Sequence, residues 1–463
     1  MVAMVSTALE RSAAAEAVPA DMQVTQTETE SAPAETWLTQ AKKPLPWLEL
    51  EADVRARAEY SKAFNSGNFL QRSGPRNETN LTRYRTRFGV SVKPIEEIEV
   101  NARVVWEFFV FSKPDGARDV DPSEALFDKL NVTWRHDFSG LKNTLVVGRQ
   151  EITDLDPWLI FDGTPLDGSR TIFFDAVRNT LAIPDAQTTV DLIYIQQGGS
   201  ENKHITPFGY ERSRYFVEND EIGAILYVRN KSIERTQLDA AYIFRHTSPA
   251  AEGLGFRSNL NTLYASAQHA FDDHWIIRAA GAEQFGTRTA VRNGVEREDV
   301  DVWAHAFNAR LTYKVRDAWD SDGYFGYEFL SGDDRNGNFN GFDPLWGRWP
   351  QFSEIVSSLY ARETLPGYVT NLHRVYVGAI TRPGPFELSA NYHLLFAHHS
   401  VRQPGFTDNG HYRGQLVTAT ARWEVNRHIA MQLLGEAFIP GDVSDRSHRS
   451  TAYFARYEIV FKW

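Results

Sequence analysis

Residues 48–60 have the sequence LELEADVRARAEY, and this stretch shows most clearly which secondary structure the chain forms. Every second residue is apolar or small, and every residue between is charged. The first set is Leu48, Leu50, Ala52, Val54, Ala56, Ala58 and Tyr60, and the second is Glu49, Glu51, Asp53, Arg55, Arg57 and Glu59. A repeat of two is the period of a β-strand, whereas a helix of this sequence would carry charge on every side. The stretch therefore predicts a strand with one apolar and one ionic face.

The same alternation recurs along the whole chain. In segment 82–90, for example, three arginines alternate with apolar, aromatic and threonine residues. Segments of this kind predict eighteen strands, at 47–60, 81–92, 97–111, 127–137, 143–151, 170–180, 188–197, 220–230, 235–245, 258–271, 274–286, 299–315, 321–331, 371–381, 385–397, 412–425, 428–439 and 449–463. An even number of strands is typical of bacterial outer-membrane barrels.

The links between these segments alternate in length. Short links occur at 93–96, 138–142, 231–234, 272–273, 382–384 and 426–427, and long polar links at 61–80, 112–126, 152–169, 198–219, 332–370 and 398–411. Short turns at one rim and long loops at the other characterise outer-membrane barrels. We therefore predict an all-β, transmembrane, antiparallel up-and-down barrel of about 18 strands in the bacterial outer membrane, with short periplasmic turns and long extracellular loops.

Composition agrees with this class and excludes others. The 463 residues include 49 Lys and Arg against 60 Asp and Glu, a net charge of −11, so nothing marks a nucleic-acid-binding protein. No run of about 18 apolar residues predicts a membrane helix, and the absence of cysteine excludes disulfides and thiolate sites. Aromatic residues reach 13%, and many lie near strand ends, where rings favour the bilayer interface.

Two regions follow from composition. Residues 1–46 are rich in Ala, Thr, Glu and Pro without a lasting period, which predicts a disordered leader, a remnant of a signal region. Residues 47–463 form the predicted barrel.

The polar faces of the strands would line a water-filled lumen. The predicted pore-lining residues are Arg55, Arg57, Arg83, Arg85, Arg87, Arg103, Arg135, Arg149, Arg178, Arg245, Arg374, Glu107, Asp175 and Asp239. An arginine-lined pore favours anions, because guanidinium groups stay charged and offer forked donors to carboxylates. The alternative is that each arginine only forms cross-strand ion pairs that stiffen the wall. Arg83, Arg85 and Arg87 have no acid between them, so part of their charge should remain available to an anion.

Other motifs carry weaker signals. Loop 331–343, SGDDRNGNFNGFD, has the Asp, Asn and Gly content of a calcium loop but the wrong register and no closing Glu, so we expect a plain surface loop. His393, His398, His399 and His411 could approach one another, yet sequence shows no tetrahedral zinc site. We expect no metal, no cofactor and no enzymatic activity, because catalytic and phosphate-binding motifs are missing.

Two long loops contain tryptophans that could contact a solute. Loop 152–169 includes Trp158 and Phe161, and loop 332–370 includes Trp346 and Trp349. These loops either fold inward and narrow the pore or cap the rim.

Several segments together resemble the alginate-export family of outer-membrane proteins. They are GRQEI (148–152), DGTPLDGSRTIFFDAVRN (162–179), SGDD (331–334), FDPLWGRWP (342–350) and NLHRVYVG (371–378). The resemblance implies an eighteen-stranded barrel with an electropositive pore for a polyuronate, lined by Arg85, Arg103, Arg149 and Arg374. One difference stands out. The long periplasmic loop that plugs the family's exporter between strands sixteen and seventeen is replaced here by the short link 426–427.

The sequence therefore predicts an outer-membrane porin or exporter that passes anionic oligo- or polysaccharide, such as an alginate-like polyuronate. The alternatives are a general anion-selective porin for small solutes, an outer-membrane hydrolase, and a plugged or adhesive barrel. Expected partners are outer-membrane lipid, an anionic saccharide or other anionic solute, and periplasmic export or uptake proteins. We expect a monomer that binds no nucleic acid.

Overall fold

The computed structural model describes residues 37–62, 78–113, 125–161, 173–200, 203–209, 217–252, 255–292, 295–348, 352–360, 368–401, 407, 409–444 and 449–463. Residues 1–36 of the predicted leader, residues 162–172 of the family-like segment and Trp349 lie outside these ranges. Within the predicted leader, Trp37–Lys42 forms a short helix, α1. In the described part of the chain, no helix is both long and apolar enough to cross a bilayer.

Eighteen antiparallel strands form one closed sheet, as predicted. The strands are β1 Leu48–Lys62, β2 Glu78–Ile95, β3 Ile98–Lys113, β4 Ala125–Phe138, β5 Leu141–Gln150, β6 Phe174–Ile183, β7 Thr188–Gln197, β8 Asn219–Asn230, β9 Thr236–Pro249, β10 Ser258–Ala270, β11 Trp275–Arg292, β12 Val295–Lys314, β13 Asp322–Leu330, β14 Leu372–Thr381, β15 Phe386–Phe396, β16 Tyr412–Asn426, β17 Ile429–Pro440 and β18 Ala452–Lys462. Each strand pairs with the next, and β1 also pairs with β18, which closes the barrel. A second helix, α2, spans Glu354–Tyr360 between β13 and β14.

Side-chain alternation in the structure follows the sequence pattern. On β1, Val54 is 46% exposed on the outside, whereas the neighbouring Arg55 is 1% exposed on the inside. The outer surface carries apolar residues such as Phe88, Leu192 and Leu433, and Trp134, Trp275 and Trp423 lie outward near the short turns. An apolar exterior with aromatic residues near its edge fits a lipid bilayer. The predicted inside and outside faces of these strands are confirmed.

The hairpin of β11 and β12 differs from the prediction. The sequence places the ends of these strands at 286 and 299, but the structure extends them to Arg292 and Val295. The extension contains Glu296, Arg297 and Glu298, which are exposed. Because this part of the hairpin has charged side chains exposed to solvent, it lacks the apolar alternation that identified the other strands.

The interior of the barrel contains a hydrophobic core. Inward residues of β7 to β12, such as Ile195, Ile243 and Leu260, pack against Leu159 and Leu345 of two long loops. The inward-folding alternative for these loops is therefore confirmed. One side of the lumen is filled by the loops, and the other side, from β16 through β18 to β3, carries most of the charged inward residues.

Candidate functional site

Seven arginines project into the lumen from four neighbouring strands. They are Arg456 on β18, Arg55 and Arg57 on β1, Arg83, Arg85 and Arg87 on β2, and Arg103 on β3, and we call them the arginine network. The register places Arg55 opposite Arg85 and Arg57 opposite Arg83. Like charges in opposed positions repel each other, so this arrangement requires carboxylates nearby.

Neighbouring strands supply those carboxylates. Glu107 of β3 accepts a hydrogen bond from Arg83 Nη2 at 2.9 Å. Asp53 of β1 accepts one from Arg85 Nη2 at 3.0 Å and one from Arg87 Nε at 2.6 Å. All three arginines are therefore paired, and the availability of part of their charge to an anion stays a prediction. Their counter-charges come from other strands, which the spacing within β2 does not reveal.

Each carboxylate in the network is shared between arginines. Six of the seven guanidinium groups share six acids, which are Asp53, Glu59, Glu107, Asp128, Glu151 and Glu458. Arg103 also contacts Glu51, and Arg456 contacts Glu354. Because most of these acids are shared, a change at one ion pair leaves the neighbouring pairs in place.

A cavity of about 240 Å³ lies at the end of the network nearest the short turns. Five arginines line it: Arg55, Arg85, Arg87, Arg103 and Arg422. Acids also line it, including the exposed Glu49 and Glu51 at its outer edge, beside Lys42 of α1. The cavity is small compared with the 300–1,000 Å³ of typical drug-sized ligand sites.

Ion pairs hold the first inward loop, residues 151–161. Arg178 of β6 donates to Asp154 with two nitrogens, both at 2.7 Å, and Arg278 of β11 binds Asp156. The Trp158 indole nitrogen donates to Glu328 at 2.9 Å. Partial burial raises the pKa of Asp154, but the hydrogen bond and charge of Arg178 and the charge of Arg229 outweigh burial and hold that pKa well below its usual value.

Buried polar contacts hold the second inward loop, residues 331–348. Arg245 of β9 donates to Asp343 at 2.5 Å, and both side chains are almost completely buried. The Trp346 indole nitrogen donates to Glu221 of β8 at 2.8 Å, and its ring packs over Gly223, where a Cβ would collide with it. The prediction of a plain surface loop at 331–343 is therefore wrong for its two ends, residues 331–332 and 341–343, which are buried, whereas residues 335–338 are exposed.

The connection between β13 and β14, which contains this loop, also contacts the opposite wall of the barrel, through α2. Glu436 of β17 accepts hydrogen bonds from Ser353 Oγ at 2.6 Å and from the backbone N–H of Glu354 at 3.0 Å. Arg456 of β18 donates to Glu354 at 2.7 Å. Since β8 and β17 are nine strands apart in a closed sheet of eighteen, Trp346 and Ser353 bind opposite walls of the barrel.

Arg149 and Asp175 are not pore-lining residues, contrary to the prediction. They pair with each other across β5 and β6, at 2.7 and 2.9 Å, on the face shared by the exposed Val147 and Val177. By register that face is the outer one, and the Arg149 guanidinium is covered at 3.8 Å by Phe173, which packs against Val105 and Leu126, so the pair is buried within the wall. Residues 145–148, LVVG, place apolar side chains on both faces, so sequence alternation could not determine which face is inside.

The remaining predicted residues face inward but differ in role. Arg178 and Arg245 anchor loops, and Arg374 lies between the rings of Phe352 and Tyr376, at 4.1 and 4.2 Å, while it donates to Glu328. Arg135 lies at the short-turn rim, half exposed, and binds Glu99. Asp239 accepts a hydrogen bond from Tyr227 at 3.0 Å.

The sequence pattern does not identify several residues that hold the two inward loops in position. Gln284 of β11 donates to the backbone of Asp343 at 2.8 Å, and Arg348 binds Glu218 at 3.0 Å. Glu221 was not singled out either. These contacts join residues 59 to 130 positions apart in sequence, and no local pattern announces them.

The histidines do not form a metal site. The rings of His398 and His399 lie 4.0 Å apart in a tilted arrangement near His373, while His393 lies inside the barrel, beside Phe352. Burial, followed by the neighbouring histidines, lowers the pKa of His398 to about 4. Among the described residues, no three or more His, Asp or Glu side chains are arranged to hold a metal ion.

Comparison with known proteins supports the fold. No protein-family profile matches the sequence, and no curated protein is similar to it in sequence. Among solved structures, Pseudomonas aeruginosa OccK7 (OpdD) is similar with a TM-score of 0.54 and 11% identity, over 90% of this chain and 99% of that one. P. aeruginosa OpdK with vanillate gives 0.52 and 11%, over 89% and 98%. Acinetobacter baumannii OccAB2 gives 0.53 and 11%, over 89% and 98%.

These neighbours are outer-membrane porins, and at this identity the likeness concerns the fold. The chain is therefore a closed eighteen-stranded β-barrel with the fold of these neighbours, and its apolar exterior places it in the bacterial outer membrane. Membership of the alginate-export family is not shown.

Proposed function

We propose that this chain is an anion-selective porin for small solutes that carry a carboxylate. The observation that carries the proposal is the arginine network, which runs along one wall of the lumen and ends at the cavity that Arg55, Arg85, Arg87, Arg103 and Arg422 line. Guanidinium groups keep their charge at all physiological pH values and bind carboxylates through paired N–H donors.

The arrangement suits passage rather than tight binding. Each acid of the network is shared by two or more cationic groups; Glu458, for example, contacts Arg55 at 3.8 Å and Arg57 at 2.5 Å. A solute carboxylate can exchange with one acid at an arginine while the ion pairs beside it persist. Closely spaced weak sites allow an ion to enter and also to leave, which conduction requires.

A small solute fits the lumen better than a polymer does. Two loops fill one side of the barrel, and Trp346 and Ser353 of the second loop's connection bind the opposite walls at β8 and β17. A polyuronate chain needs a wide continuous passage, which this filling of the lumen disfavours. The polyuronate hypothesis from sequence resemblance therefore has less support than the small-anion alternative.

One structural neighbour was solved with a ligand of the proposed class. OpdK was solved with vanillate, an aromatic monocarboxylate. Since the sequence identity is only 11%, this supports a carboxylate as the first solute to test and does not identify the natural solute.

The test uses the full chain, purified and reconstituted in planar lipid bilayers with a KCl gradient. We expect a reversal potential on the chloride side, and benzoate that reduces the chloride current in a saturable way. Proteoliposome swelling should be faster in benzoate than in a neutral sugar of similar size. A cation-selective pore, or one that benzoate leaves unaffected, contradicts the proposal. Passage of oligouronate without passage of benzoate would instead favour the polysaccharide hypothesis.

A further inference from the structure

Contacts other than the Glu354–Arg456 ion pair hold α2 in place. Glu436 binds Ser353 and the backbone N–H groups of Glu354 and Ile355, the last at 3.3 Å. Within the helix, Ile355 and Val356 are completely buried. These backbone contacts and this apolar packing would remain if the ion pair between Glu354 and Arg456 opened.

That carboxylate covers one arginine of the network. It accepts a hydrogen bond from Arg456 Nη1 at 2.7 Å, and its side chain is 30% exposed while that of Arg456 is 4% exposed. The acid therefore lies between the arginine and the remaining open lumen.

Of the seven arginines in the network, Arg456 of β18 lies nearest the long-loop rim. It faces Glu59 of β1 in the register, above the level at which Arg57 binds Glu458. A solute that enters from the long-loop side therefore meets the pair of Glu354 and Arg456 before it reaches the cavity at the other end. Because the Glu354 side chain is 30% exposed, this pair can be reached from the open lumen, where a solute carboxylate at millimolar concentration would compete for the arginine.

We propose that Glu354 is an internal counter-anion, which exchanges with the carboxylate of a permeating solute and so sets the affinity of the first anion subsite, at Arg456. This inference rests on the proposed function. When the solute binds Arg456, Glu354 turns into the exposed lumen while Glu436 keeps α2 docked. The subsite is then selective for solutes that carry a carboxylate rather than for neutral solutes of the same size.

The experiment measures block of the chloride current by benzoate in the full chain. In Glu354→Gln we expect the half-blocking concentration to fall at least about threefold, since the competing anion is gone. Adding Arg456→Gln to that variant should remove the gain. Glu296→Gln, which removes an exposed acid from the β11–β12 hairpin, is the matched control and should behave as wild type.

The outcomes separate this inference from the proposed function. If the wild type is cation-selective or insensitive to benzoate, the proposed function fails and the inference fails with it. If the wild type is anion-selective but Glu354→Gln keeps the wild-type half-blocking concentration, only the inference is overturned, and Glu354 is simply a tether. Should Glu354→Gln not fold, Glu354→Asp gives the same test, because the shorter acid withdraws from Arg456 and should also strengthen block.

Discussion

Neutralising Asp343 should release the second inward loop. Its carboxylate binds the buried Arg245 at 2.5 Å and accepts the backbone N–H of Leu345 at 2.8 Å. Asn keeps the size and the acceptor oxygen but removes the charge, which leaves Arg245 with Glu221 at 3.7 Å. Breaking a buried ion pair by removing one partner costs about 3–5 kcal/mol. We take about 3 kcal/mol because Glu221 remains, and this equals a shift of more than about 100-fold in the docking equilibrium.

The assay for Asp343→Asn is single-channel recording in planar bilayers. We expect a larger mean conductance and more open-channel noise, because the loop leaves its docked position more often. Asp334→Asn is the matched control, since Asp334 lies in the same loop but is only partly buried, next to the exposed residues 335–338. If Asp343→Asn has the conductance and noise of the wild type, this prediction is wrong. The loop would then either not depend on this ion pair or not restrict the pore.

Three further predictions follow from the same contacts. Trp346→Ala should lower the free energy of unfolding by about 3–5 kcal/mol, as for other buried aromatic residues. The folded band in semi-native electrophoresis should therefore disappear at a lower temperature. Trp319→Ala, in an exposed turn, should change that temperature little. Arg149→Gln should reduce stability because Asp175 loses its partner within the wall, but it should leave the reversal potential unchanged. The pKa of Asp154 is lower in the folded than in the unfolded state, so the stabilisation from its ion pairs is complete above about pH 4 and is lost as the pH falls further. The open-channel noise should therefore be equal at pH 7 and pH 5 and rise near pH 3.

The barrel was predictable because its signal is local and repeated. In β1, Arg55 and Arg57 alternate with Val54 and Ala56, and a shift of one residue would turn every charge toward lipid. The period therefore determines both the strand and its inward face. Where alternation is absent, as in residues 145–148, the prediction of the inward face was wrong.

The site was only partly predictable because its contacts are not local. The sequence identified the arginines of β1, β2 and β3, but Glu107 and Asp53, which pair with the β2 arginines, belong to neighbouring strands. The inward loops depend on pairs such as Arg245 with Asp343, which are 98 residues apart. Neither periodicity nor composition reports such distances, and only the closed sheet brings these groups together.

The reversal potential of Arg83→Gln/Arg85→Gln, measured in a KCl gradient beside the wild type, tests most directly whether the arginine network selects anions. Arg149→Gln is the matched control, because it removes the same charge within the wall. We expect the double variant to lose most of its preference for chloride, whereas the control should keep the wild-type reversal potential. An unchanged preference for chloride in a folded double variant would contradict this expectation.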